Sequence, residues 1–143
     1  MKIVVAIDSL KGSLTSIQAG EAIEKGIKKV DLEAEVVIKP LADGGEGCLD
    51  AQTAMGKAPI GVAKLAKKYG KLVLGFSGAV TKGATACNEA GIDAYFPIVR
   101  SAVSLEDAMK KKNAQENLID TVEQVFPCDK SIKIKISLSL IHI

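Results

Sequence analysis

The chain has 143 residues, 48% of them hydrophobic and 25% charged, with 19 lysines and arginines against 17 acids. That suits one globular domain with a modest core, and 13 glycines with 4 prolines argue against a disordered or collagen-like polymer. No apolar run approaches the ~20 residues that cross a bilayer, and the apolar start meets Asp8 too soon for a signal peptide. A soluble, cytoplasmic protein is expected.

Cys48, Cys87 and Cys128 are odd in number and widely spaced, so they form neither a disulfide framework nor a zinc pattern. The single histidine, His142, stands next to the C-terminus, which leaves a Ser-His-Asp or Cys-His nucleophile without a base. Three lysines and one aspartate within 128–143 account for the whole net charge of +2. The rest is balanced, aromatic residues are few, and nucleic-acid binding is not expected.

In chain order, Lys2–Ile7 is a continuous apolar run ending at Asp8 and reads as a strand buried on both faces. Thr15 with Gln18 forms a capping box opening a helix whose stripe is Ala19, Ala22, Ile23, Gly26, Ile27 and Val30. Glu35–Lys39 reads as a second strand closed by Pro40, and 41–57 as a loop rich in glycine and acids. Pro59 and Gly70 bracket a second helix with the expected buried stripe Val62, Leu65, Ala66 and Tyr69. Leu72–Phe76 and Ile92–Ile98 read as strands, with a short helix between them ending at Gly91. Ser104 with Asp107 caps one long final helix carrying Leu105, Ala108, Met109, Leu118, Ile119, Val122, Val125 and Phe126. Strands separated by helices imply βαβ units, so an α/β fold with a Rossmann-like parallel sheet and flanking helices is predicted.

Residues 128–143 change composition abruptly after Pro127. The alternation over Ile132–Ile136 suits an edge strand with solvent-facing lysines. The closing Leu-Ser-Leu-Ile-His-Ile is also what one frame of a common sequencing-library transposon adapter encodes. The segment is read first as a tail not native to the domain, with a genuine C-terminal strand as the alternative, and residues 1–127 as the domain proper.

In open parallel sheets ligands bind beyond the carboxyl ends of the strands. Three stretches fall there: Asp8-Ser9-Leu10-Lys11-Gly12-Ser13, Asp43-Gly44-Gly45-Glu46-Gly47, and Gly75-Phe76-Ser77-Gly78. Glycines let backbone N–H groups converge on an anion, lysine adds a point charge, and a carboxylate can hold Mg²⁺ or take a proton from a hydroxyl. Together these are the parts that phosphoryl transfer uses. Neither a P-loop nor a dinucleotide fingerprint is present. Each residue also has a plain structural reading: glycines as turn formers, Lys11 as a surface lysine, Asp8 as a cap, Glu46 as an exposed acid, Lys57 as a helix neighbour. The residues alone lead to an α/β domain with a phosphate-handling edge.

The stretches Ile-Asp-Ser-Leu-Lys-Gly-Ser-Leu-Thr and Leu-Ala-Asp-Gly-Gly-Glu-Gly make Met1–Gly47 resemble the N-terminal part of bacterial ATP-dependent glycerate kinases. Gly45–Pro127, opening with Gly-Glu-Gly-Cys-Leu-Asp-Ala-Gln-Thr-Ala-Met-Gly-Lys-Ala-Pro, resembles the C-terminal part, although a basic residue commonly stands where Cys48 does. In the family the two motifs lie far apart and each contains Gly-Glu-Gly. Here they share one copy at Gly45–Gly47, as an internal deletion with its junction near 45–48 would leave them. The resemblance thus implies one incomplete domain of a normally two-domain kinase, with self-association favoured by the surface left uncovered.

The resemblance implies transfer of the ATP γ-phosphoryl group to a hydroxyl of D-glycerate, with ATP and Mg²⁺, in a cleft between two domains. It assigns Lys11, with Ser9, Gly12 and Ser13, to anion binding. Asp43 and Gly44, Gly45, Glu46 and Gly47 would shape the substrate or phosphate pocket, with Asp50, Gln52 and Lys57 from the second motif. Asp43 or Asp50 is the candidate base or Mg²⁺ ligand. The alternative is a non-catalytic remnant, or an α/β small-molecule-binding module, because the middle of the family's chain is missing.

Overall fold

A computed structural model of the chain describes residues 2–7, 9–10, 12–41, 48–49, 55, 58–126 and 138–142. The elements are β1 (Lys2–Ile7), α1 (Ser16–Val30), β2 (Glu35–Pro40), β3 (Cys48–Leu49), α2 (Ala58–Lys68), β4 (Val73–Ser77), β5 (Ala79–Val80), α3 (Ala86–Glu89), β6 (Ala94–Pro97), α4 (Leu105–Met109), α5 (Lys111–Val125) and β7 (Leu138–His142). Five strands pair in parallel in the order β2-β1-β7-β4-β6, and β3 pairs with β5 in a separate ribbon. The predicted α/β class with a parallel sheet and flanking helices is what forms.

Helices cover both faces of the sheet, and β4 shows this within one strand. Leu74 and Phe76 join the cluster built on α1 and α5 with Ile3, Val5, Ile7, Ile23, Ile27, Leu118 and Val122. The intervening Val73 joins Ile60, Ala63 and Cys87 of α2 and α3 in the other cluster. Alternate residues of a strand point to opposite faces, so a run buried throughout needs cover on both. Phe76 also stacks on Phe96 of the neighbouring β6, with ring centroids 5.6 Å apart.

α1 starts as its sequence predicts. The Thr15 hydroxyl accepts from the Gln18 N–H at 3.3 Å, and the Gln18 side chain accepts from the Thr15 N–H at 3.2 Å. Its predicted stripe is buried from Ala19 to Ile27. Across the α1–α5 contact, Lys29 donates to Glu123 at 2.8 Å, and that bond chiefly raises the lysine's pKa. Thr15→Ala removes a hydroxyl that satisfies one orphan helix donor and is expected to cost about 1 kcal/mol in urea denaturation.

Four predicted features are corrected. Two residues of the stretch read as a loop, Cys48 and Leu49, form β3 against Ala79 and Val80. The buried face of α2 is Pro59, Ile60, Ala63 and Ala66, while Leu65 and Tyr69 are 56% and 71% exposed. Gly91 stands beside this face, where a Cβ would make ordinary contact with Ala63 at 3.6 Å, and its φ of +116° is what favours glycine. The C-terminal helix is two helices, because Lys110 is extended at ψ 127°. The two pieces differ in burial: α4 has no buried residue, whereas α5 buries Ala114, Leu118, Thr121 and Val122. Asn113 closes the break by donating to the Asp107 carbonyl at 2.8 Å. Finally, the strand expected over Ile92–Ile98 is only Ala94–Pro97. Asp93 before it accepts from the Val73 N–H at 2.6 Å and pairs with Lys67 of α2.

Of the stretch set apart after Pro127, residues 138–142 form β7 in the middle of the sheet. Ile132–Ile136 lie outside the described residues.

Candidate functional site

Because the strands of the main sheet are parallel, β1, β2, β4 and β6 all end at one edge. There Ile7 is level with Pro40, and Ser77 with Pro97. The Leu41 N–H donates to the Ile7 carbonyl at 2.7 Å and the Ile98 N–H to the Ser77 carbonyl at 2.8 Å. Ser77 is fully buried and donates to the Ala79 carbonyl at 2.7 Å. Gly75, Phe76 and Ser77 thus belong to β4, and only Gly78 of that predicted loop follows the strand.

Between β1 and α1 the chain makes a tight turn. Leu10 and Leu14, both buried, bond to each other as an antiparallel bridge: the Leu10 N–H donates to the Leu14 carbonyl at 2.8 Å and the Leu14 N–H returns to Leu10 at 3.1 Å. Ser13 closes the turn, its N–H donating to the Leu10 carbonyl at 2.8 Å and its hydroxyl to the same oxygen at 3.4 Å. Gly12 at the tip has φ +81°, which an L side chain rarely adopts. Buried leucines anchor the base, while the tip is exposed.

A methionine at the end of α4 stands beside this tip. A side chain built on Gly12 would begin 2.5 Å from the Met109 methyl, the end of a flexible side chain that can move aside, so it is the positive φ that favours glycine there. Nothing in the sequence signals this approach of Met109, since the two residues are nearly a hundred positions apart. On the same helix, Lys110 and then Ser104 donate to the Asp107 carboxylate and hold its pKa below the usual range.

Of the predicted site residues, Ser9, Gly12 and Ser13 come together in this turn. Lys11, Asp43, Gly44, Gly45, Glu46, Gly47, Asp50, Gln52 and Lys57 lie outside the described residues. In the described part the Ser13 N–H and hydroxyl and the Leu14 N–H all point to the Leu10 carbonyl, so they shape the turn. Among the described residues no group of three or more His, Cys, Asp or Glu side chains could hold a metal, and no helix is long and apolar enough to cross a membrane. A surface hollow of about 590 Å³ lies along α1, lined by Glu21, Lys25, Lys28, Leu32 and Ile119 among others. It runs towards the far end of the helix, away from the strand ends.

The model of the glycerate kinase family matches residues 3–51 and 45–128, so residues 45–51 are matched twice. A glycerate kinase of Bacillus subtilis (strain 168) is 44% identical over 99 residues, covering 68% of this chain and 26% of its own. One of Haemophilus influenzae is 37% identical over 117 residues, covering 78% and 29%. A glycerate 2-kinase of Escherichia coli K12 is 38% identical over 95 residues, covering 64% and 25%. A solved structure named for a glycerate kinase 2 of Salmonella typhimurium LT2 is 41% identical where matched. It covers 40% of this chain and 16% of its own, and its TM-score of 0.30 is too low to bear on the fold. This chain spans only 25–29% of the length of these curated relatives. With both stretches matched, together reaching from residue 3 to residue 128, the chain belongs to the glycerate kinase family.

Proposed function

We propose that this chain carries part of a phosphoryl-transfer site, in which the γ-phosphoryl group of ATP passes to a hydroxyl of D-glycerate to give phosphoglycerate and ADP. The observation that carries the reading is the family match over 3–51, the stretch that builds the turn beyond β1. The Lys11 ammonium and the backbone at Gly12 hold the phosphate oxygens there, with Ser9 beside them, while the Ser13 N–H stays on the Leu10 carbonyl and fixes the turn. Asp43 or Asp50 takes the proton from the attacking hydroxyl, while Gly44–Gly47, Gln52 and Lys57 shape the pocket. Mg²⁺, held by Asp43 or Asp50, would neutralise charge on the phosphates. The Escherichia coli relative's name favours the hydroxyl at position 2 as acceptor.

Phosphoryl transfer depends on holding both substrates in line, and a chain whose matched part covers only about a quarter of its relatives lacks most of the surrounding walls. Negligible turnover by the 143-residue chain follows, with anion binding retained. Coupled-enzyme assay of ADP release is expected to give the same background rate for the chain and for Lys11→Ala. ATP binding measured by calorimetry should weaken about tenfold in Lys11→Ala, as loss of a charge-assisted contact predicts. Glycerate-dependent ADP release above the Lys11→Ala rate would overturn the partial-site reading. Binding indifferent to Lys11 would remove its role.

A further inference from the structure

The two family-matched stretches build separate parts of the main sheet. Residues 3–51 supply β2 and β1, and residues 45–128 supply β4 and β6. These parts do not pair with each other. β7 lies between them, parallel to both, with Ile3–Ile7 level with Leu138–His142 on one side and Val73–Phe76 level with Ser139–His142 on the other. Residues 138–142 belong to neither matched stretch.

We propose that the gap between β1 and β4 is a strand-acceptor site: it binds, in parallel, an extended aliphatic segment of about five residues, filled here by Leu138–His142. Two observations define what fits. Ile3, Val5 and Ile7 share one core cluster with Leu74 and Phe76, although β1 and β4 are not neighbours. Adjacent strands lie about 4.8 Å apart, so these residues stand on the same face of the sheet roughly 9.6 Å apart, with room for one strand between them. Both inner edges also present backbone N–H and C=O groups at the level of fully buried residues such as Ile3, Val5 and Val73, where unpaired groups are costly. The occupant must therefore be extended, parallel, and apolar where it stands level with Val5 and Leu74, the position Leu140 takes. Recognition is mainly through the main chain, with side-chain fit secondary, so a segment outside both matched stretches can fill the site.

The test uses the full chain with a specific protease site placed within 129–135 and cut after folding. The cut tail is expected to co-elute with residues 1–128 on gel filtration, with amides of β1 and β4 still protected from hydrogen exchange. An excess of labelled peptide covering 134–143 should replace it. Separation of the tail with both strands still protected would overturn the proposal, as would failure of the labelled peptide to enter. A second variant leaves the chain uncut: Ser139 stands level with Val4 and Val73, and Ser139→Val is expected to raise Tm by a few degrees. An unchanged or lower Tm would overturn the register assigned to the occupant.

Discussion

Replacing Phe76 with alanine is expected to cost about 3–5 kcal/mol, a large share of the ~5–15 kcal/mol that holds a domain of this size together. Phe76 is among the largest fully buried side chains of the molecule. It sits in β4, level with Phe96 of β6 and His142 of β7, and its ring faces the α1–α5 side of the sheet. Removing it forfeits the transfer energy of the ring, leaves a cavity that the close-packed strands fill poorly, and breaks the stack on Phe96. Urea denaturation followed by circular dichroism checks this, with Phe76→Leu expected to lose less than half as much. A loss below about 1 kcal/mol for alanine would mean that the ring is not packed as described.

Gly26→Val is the second large effect, and a companion glycine gives the opposite sign. A glycine inside a helix normally costs about 0.5–1 kcal/mol relative to alanine, so filling it in usually stabilises. Gly61, in the middle of α2, has nothing within 4 Å of where a Cβ would lie, and Gly61→Ala should gain about that amount. Gly26 faces α5: a Cβ there would lie 2.8 Å from the Ile119 carbonyl oxygen and 2.9 Å from Val122. One of these atoms is backbone and the others belong to a fully buried valine, so relief requires the helices to separate. Gly26→Ala is expected to destabilise by about 1–3 kcal/mol and Gly26→Val by more. Thermal denaturation of the three variants tests the pair, and a stabilised Gly26→Ala chain would contradict the α1–α5 packing.

The candidate site was legible in the sequence to the extent that its motif is local. Ser9, Gly12 and Ser13 fall in one stretch after an apolar strand and before a capping box, and the turn they form is closed by bonds spanning three or four residues. The methionine behind Gly12 was not legible, because nothing near Gly12 encodes a contact with α4. The Cys48–Leu49 pairing with Ala79–Val80 was missed for the same reason: two residues carry no period, and only the partner makes them a strand.

By itself the sequence determined the local outcomes: the start of α1 at Thr15, the stripe from Ala19 to Ile27, the cap at Ser104 and the alternation of strands with helices. Each rests on hydrogen bonds or apolar spacing within one or two turns, where chain neighbours decide the energy. The tertiary structure decided which face of α2 is buried, the break at Lys110, and the place of residues 138–142 between β1 and β4. Those outcomes depend on which surfaces can be covered together. Burial and strand pairing are settled between segments far apart in the chain, so no local pattern carries them.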